Sequence, residues 1–398
     1  MISKGSLKVV ELEEEMIKAV AKKMGIPTIK LENNLLQLGY GRYRRILDGV
    51  ISDNVSHLGV NISLDQDFTR SFLKGLGLKV HDKEDKSEEG DIYRFLVIGE
   101  RVLRAKNITT RKSLSLDSVD KSYKDLAVKA VGSLGLEVGE VYLYSYTLDG
   151  PIREGEGVIK LDSKPLLDNK GLIKKFIRFL SVDRIPIVTL AGGKDDIIIL
   201  EILKKICEEF GLQAGVNDSY EDKERKGLLR NENLEVALFL EEAEGLLREG
   251  FGYEGIDIGI VGPSFNKVLE DNQPSQVKGL LKDNILDGGY LILESSDPYL
   301  FNLLKDNNDF NIIISSLEEN DIIIRKQISQ NKAAVYLRDR NIILFDEEEE
   351  LPIISLDELE GQLTEKLLRK IMLIIAVSFA HHIPIFILRS VLLEFFRI

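Results

Sequence analysis

The chain reads as a two-part protein of mixed α/β and α+β class, and three observations carry that reading. Its 398 residues exceed what one ordinary core accommodates, so two domains are expected. Up to about residue 165, helices are interleaved with strand pairs that read as antiparallel hairpins. From residue 166 onward, apolar strands alternate largely with helices. That is the pattern of a mainly parallel, Rossmann-like or P-loop-like sheet covered on both faces. The expected domains are therefore 1–165 and 166–398.

In the first part, Leu12, Met16, Ala19, Val20 and Met24 recur at helical spacing and stop at Gly25 and Pro27. "IPTIKL" follows as a short strand, and "LENNLLQLGYGRYRRIL" as a glycine-punctuated turn with a basic tail. "DQDFTRSFLKGLGLKV" has helical periodicity, with Asp65 or Asp67 near its start. The polar run "HDKEDKSEEGD", 81 to 91, is a loop. "IYRFLVIGERVLRAKNI" is a hairpin about Gly99-Glu100, a helix spans roughly Val119–Leu134, and strands follow at Val141–Tyr146 and Gly157–Leu161.

In the second part, strands are expected at Ile185–Leu190, Val236–Leu240, Ile256–Val261, Gly289–Leu293, Asn311–Ile314 and Ala334–Leu337. "FDEEEEL", 345 to 351, reads as a solvated turn between two strands. The apolar stretch Ile371–Leu388 is interrupted by Ser378, His381, His382 and Pro384. It reads as two buried helices about a proline turn, not a membrane span.

Lys and Arg number 53 against 66 Asp and Glu, a net charge of −13. That balance argues against non-specific nucleic-acid or anionic-membrane binding, and no basic cluster stands out beyond Arg42, Arg44 and Arg45. Cys207 is the only cysteine and falls on the apolar side of a helix, so a buried thiol is expected and a cysteine zinc site is excluded. With no apolar leader at the N-terminus, a reducing cytoplasm is the expected compartment.

Several stretches resemble one family. "LENNLLQLGYGRYRRIL" and "DQDFTRSFLKGLGL" resemble the start of the ATP-grasp domain of cyanophycin synthetases. "DIYRFLVIGERVLRA" and "LAVKAVGSLGLEVGEVYLYSY…GEGVIKLDSKP" look like its later strands. "RIPIVTLAGG", "LEVALFLEEAEGLLREGFGYEGIDIGIVG" and "LDGGYLILESSDP" are similar to that family's Mur-ligase-like central domain. The resemblance implies a reduced ATP-grasp-like domain followed by a Mur-ligase central-type domain. It also implies chemistry that uses ATP and Mg²⁺ to activate a carboxylate for attack by an amine.

The positions that such chemistry needs are altered here. The family's phosphate loop ends Gly-Lys-Thr, but this turn reads Ala191-Gly192-Gly193-Lys194-Asp195-Asp196. The resemblance puts Asp196 in the lysine slot and Ile197 in the hydroxyl slot, with Lys194 two positions early. Gly192, Gly193 and Lys194 are thus a remnant nucleotide-loop position. Asp195 and Asp196 suit the positive end of a helix macrodipole. They would repel a triphosphate by roughly 4 kcal/mol per close unit pair at an effective dielectric of ~20.

The metal-binding glutamate position falls on Leu240, with Glu241 one residue on, and later landmarks fall at Lys267, Val268, Glu365 and Lys366. In the ATP-grasp half the acidic ligand positions fall at Tyr142, Lys160 and Asp162, and little remains of the ATP-covering segment between Val80 and Asp91. A third Mur-ligase domain is not expected within 398 residues.

The expectation is a pseudoenzyme with no catalytic residues, no metal site and no cofactor. It would be a scaffold or regulatory subunit that binds itself or an active paralogue. The alternative is an ATP-dependent amino-acid or peptide ligase using Lys194, Glu241 and Asp162 in new roles. Arg42, Arg44 and Arg45 would either hold an acidic or cyanophycin-like peptide or lie on a solvated helix face.

Overall fold

The computed structural model describes residues 4–81, 90–219, 221–265, 273–300, 309–359 and 363–396. The chain forms two compact units that divide between Asp183 and Arg184, with Tyr40–Arg42 counted with the second. The expected division after residue 165 is therefore displaced. The segment beyond it forms a helix whose apolar face belongs to the core of the first unit.

That first unit opens with α1 (Lys4–Lys23), which ends at Gly25, where φ is +72°. Four short strands, β1 (Thr28–Lys30), β2 (Leu36–Leu38), β3 (Arg45–Asp48) and β4 (Ile51–Ser52), make an antiparallel sheet in that order. Next come α2 (His57–Leu64) and α3 (Gln66–Gly75). Asp65 caps α3, its carboxylate accepting from the amides of Asp67 and Phe68.

The main sheet of this unit is antiparallel, in the order β7-β6-β5-β8-β9. Its members are β5 (Asp91–Ile98), β6 (Arg101–Asn107), β7 (Ser113–Leu114), β8 (Val138–Ser145) and β9 (Gly157–Asp162). Alternation along β5 sends Phe95 and Val97 to one core and Leu96 and Ile98 to another. The first core is closed by α4 (Lys121–Ser133) through Tyr123, Leu126 and Ala130. The second is closed by α1 and by α5 (Lys170–Phe179), through Ile173, Phe176 and Ile177. Both faces are covered, which is why Phe95–Ile98 is an unbroken buried run.

The second unit is built on a nine-stranded sheet ordered β11-β12-β10-β13-β14-β15-β16-β17-β18. Seven strands run parallel: β10 (Ile187–Ala191), β11 (Ala214–Asn217), β12 (Val236–Glu241), β13 (Ile256–Val261), β14 (Ile285–Glu294), β15 (Asn311–Ser316) and β16 (Ala334–Arg338). β17 (Asn341–Phe345) and β18 (Glu350–Ser355) add an antiparallel edge, and "FDEEEEL" turns between them as expected.

On one face lie α6 (Ile197–Glu209) and the helices Glu365–Ala380 and Ile385–Phe396, packed on Val188, Leu190, Leu238 and Ile260. The sequence Ile371–Leu388 is thus two helices about Pro384, and no described helix is long and apolar enough to cross a membrane. Cys207 is buried on α6, where burial pushes its thiol up to about 12. The same helix stops in a Schellman motif: Gly211 (φ +90°) donates to Glu208 O and Leu212 donates to Cys207 O. On the other face are α7 (Asp222–Leu229), α8 (Ala243–Glu249) and α9 (Gln273–Asn284).

A single glycine fixes the approach of α2 to the end of α4. A Cβ on Gly59 would collide with the carbonyl oxygen of Leu134. Gly59→Ala is expected to destabilise the first unit by about 1–3 kcal/mol in urea unfolding. A change below about 0.5 kcal/mol would show that the crossing gives way freely.

Candidate functional site: a glycine loop filled from within

The loop that follows β10 leaves the sheet at its carboxyl edge, between β12 and β13. Ala191 is in register with Glu241 on one side and Val261 on the other. Gly192 N donates to Glu241 O (3.1 Å), and Gly262 N donates to Ala191 O (2.8 Å). Ligands of open α/β sheets bind at this edge. Here the place is taken by a side chain of the loop itself.

Asp196 is fully buried. Its Oδ2 accepts from Gly193 N (3.3 Å) and Ser264 N (3.1 Å), and its Oδ1 accepts from Ser264 Oγ (3.0 Å). Backbone amides of the loop and of Ser264 are thus engaged by a carboxylate. Cβ atoms on Gly192 and Gly262 would come within 2.9 and 2.7 Å of Oδ2, so both glycines make room for it.

The matching cation is Lys370, buried on the helix Glu365–Ala380. Its Nζ stands 3.4 Å from Asp196 Oδ1 and donates to the Asp195 carbonyl. Four residues earlier, Lys366 pairs with the exposed Asp195 at 2.7 Å. Lys194 projects into solvent. At Gly192–Gly193–Lys194, where a remnant nucleotide loop was expected, the charge that faces the loop amides is internal.

Sequence reasoning missed Lys370, which directly precedes the apolar stretch Ile371–Leu388. The available signal was its i, i+4 spacing from Lys366 at the start of an otherwise apolar helix.

Glu241 points elsewhere. β12 runs through it, so its side chain lies on the face opposite Leu240. There it pairs with fully buried Arg225 and accepts from Tyr253 Oη (3.1 Å), which also lies 2.9 Å from Thr189 Oγ1. Burial pushes the Glu241 carboxyl up to about 8, against the pull of Arg225. Glu241 thus belongs to an internal network, whereas Lys194 is solvated.

Beside Gly262, a cavity of about 50 Å³ is lined by Pro263, Glu294, Ser296 and Asp297. That volume suits a few waters. Asp297 takes two bonds from buried Lys278 (2.8 and 2.7 Å), and Glu294 pairs with Arg369.

In the first unit the positions expected for acidic ligands are likewise engaged within the chain. Lys160 Nζ lies 5.2 Å from the centre of the Tyr142 ring, and Asp162 accepts from Lys164 N (2.9 Å). Opposite Asp162 in register, buried Glu140 sits between Arg94 (3.2 Å) and Arg104 (3.3 Å), and Arg104 also holds Asp168 at 2.7 Å. Burial raises the Glu140 carboxyl, and the two arginines oppose that rise.

Among the described residues, no group of three His, Cys, Asp or Glu side chains is placed to hold a metal. Lys267, Val268 and most of the polar loop 81–91 lie outside the described residues.

The expected helix face for Arg42, Arg44 and Arg45 is present only in part. Arg42 lies in a single 3₁₀ turn (Gly41–Tyr43), Arg44 follows it and Arg45 opens β3; Arg42 pairs with Glu235, Arg44 with Asp53, and Arg45 donates to the Arg44 carbonyl. Beyond the loop, His381 has its Nε2 buried without a hydrogen-bond partner.

By fold, the second unit is an α/β domain on a mainly parallel sheet, and the glycine loop after β10 is occupied by the carboxylate of Asp196. In sequence the chain is similar to cyanophycin synthetases. It is 24% identical over 276 residues to the enzyme of Geminocystis herdmanii, covering 59% of this chain and 31% of that protein. It is 22% identical over 273 residues to that of Synechocystis sp., with the same two coverages. The chain spans about a third of the length of the curated relatives it matches.

No protein-family model matches. Among solved structures, MurF from Acinetobacter baumannii aligns with a TM-score of 0.38, 10% identity, and coverage of 53% of this chain and 46% of that one. A bifunctional glutathione synthetase from Pasteurella multocida aligns with a TM-score of 0.34, 15% identity, and coverage of 42% and 44%.

The Glu241 carboxyl yields a pH prediction. Its folded value near 8 lies above its ordinary 4.5, so folding takes up a proton between the two. Its stabilising contribution is full below about pH 4.5 and is lost as pH rises through 8. Chemical unfolding from pH 5 to 8.5 should show a steeper fall in stability for the native chain than for Glu241→Gln. Equal slopes would mean that Arg225 keeps the carboxylate ionised throughout.

Proposed function

We propose that this chain is a non-catalytic relative of the cyanophycin synthetases that acts by association, with a second copy of itself or with an active synthetase. The observation that carries the proposal is the Asp196 carboxylate seated among the loop amides, with Lys370 against it. A triphosphate entering there would have to displace a buried ion pair and then face Asp195 and Asp196 together. The sequence similarity supports the family scaffold, and the internal pairing of Glu140 and Glu241 supports the loss of chemistry in both units. Exposed Leu64, Phe68 and Leu76, on or next to α2 and α3, support a role through surface contact.

Calorimetry with millimolar ATP and Mg²⁺ should give no saturable heat, and no phosphate should be released with amino-acid or peptide acceptors. Saturable micromolar affinity would replace this reading with that of a working ligase of altered design. Sedimentation of the chain, alone and mixed with an active cyanophycin synthetase, should show a complex in at least one case. A monomer that ignores the synthetase defeats the association.

The cradle itself can be opened. Asp196→Ala leaves Lys370 buried without its partner, a loss of about 3–5 kcal/mol. Millimolar inorganic phosphate should then raise the melting temperature of the variant and not that of the native chain. Equal responses would show that the amides around Gly193 do not form an anion cradle.

A further inference from the structure

The first unit carries a cleft that the proposed function does not use. It has a volume of about 570 Å³ and lies between the β5–β6 turn and the C-terminal end of α5. Its floor is apolar: Ile98, Leu103 and the ring of Phe179, which is 40% exposed. The turn is held open to that ring by Gly99 (φ +56°), where a Cβ would collide with Phe179.

Around the floor stand Arg101, Lys175 and Arg178, with Glu100 as the one acid. These three cations are exposed and have no acidic partner among the described residues. In the same unit Arg44, Arg94 and Arg104 are all paired.

A basic side chain in the last turn of a helix also complements its negative pole, which accounts in part for Arg178. Arg101 has no such role. It comes from the hairpin, more than seventy residues away in sequence, and lines the same cleft. Two separate elements therefore converge unmatched positive charge on an apolar floor, in a chain whose net charge is −13.

We infer that this cleft binds a small organic dicarboxylate with an aromatic or branched apolar body. The body would rest on Phe179 and Leu103, and the carboxylates would reach Arg101 and Arg178, whose planar forks suit two-point contact. Three cations less one acid leave a charge of about +2, which a dicarboxylate neutralises. The volume is that of ordinary small-molecule sites. The inference is independent of the nucleotide reading, since every residue of the cleft lies in the first unit.

The test is fluorescence titration of the full chain with N-dansyl-L-aspartate, with dansyl amide as the uncharged control. Saturable one-site binding that weakens with added salt is expected, with no comparable binding of the amide. Arg101→Ala and Arg178→Ala should each weaken it about tenfold. Lys174→Glu, exposed on the same helix but outside the cleft, should leave it unchanged. Phthalate should displace the probe.

The proposal is overturned by absent or non-saturable binding, by affinity unchanged in the two arginine variants, or by equal binding of the amide. Displacement by an acidic tripeptide but not by phthalate would equally overturn it. Thermal melting checks that each variant is folded, as substitution of exposed side chains predicts.

Discussion

A charge taken out of water must be met by an opposite charge or by hydrogen bonds. The second unit is arranged around that constraint. Asp196 meets Lys370, Glu241 meets Arg225, and Asp297 meets Lys278, each pair with both partners buried. Each also ties a helix to the carboxyl edge of the sheet: Glu365–Ala380, α7 and α9 respectively. The edge at which open α/β sheets usually admit a ligand is in this chain a seam of internal ion pairs.

Such pairs add little net stability compared with an apolar filling, but they are costly to break on one side. They therefore act more as fasteners than as sources of folding energy. The driving force lies in the continuous apolar layer between α6, the two C-terminal helices and the central strands. That layer holds the scaffold together independently of the side chains at its rim.

Much of this was legible in the chain. Period-two alternation and apolar runs located the hairpin about Gly99 and the parallel strands, because both are local patterns set by burial. Proline and polar interruptions correctly split Ile371–Leu388. The partners were not legible. Nothing distinguishes Arg225 in "EDKERKGLLR" from Lys223 or Lys226 until β12 brings Glu241 beside it. Arg42, Arg44 and Arg45 looked like one basic cluster, yet separate turns send them to separate partners. Arg101 and Arg178 looked unrelated, yet the fold brings them to one cleft. Side-chain charge can be counted in one dimension but is cancelled in three. The division between the units was misplaced for a similar reason, since only packing shows that α5 serves the first core.

The two glycines that flank Asp196 bear on how the loop could change by single steps. Lysine at position 196, the residue of a working phosphate loop, would drive a longer side chain toward Gly192 and Gly262 and set its ammonium against that of Lys370. Altering Lys370 first would strand Asp196 without its counter-charge. Both one-step routes pass through an uncompensated buried ion, so either exchange is costly unless the two positions change together.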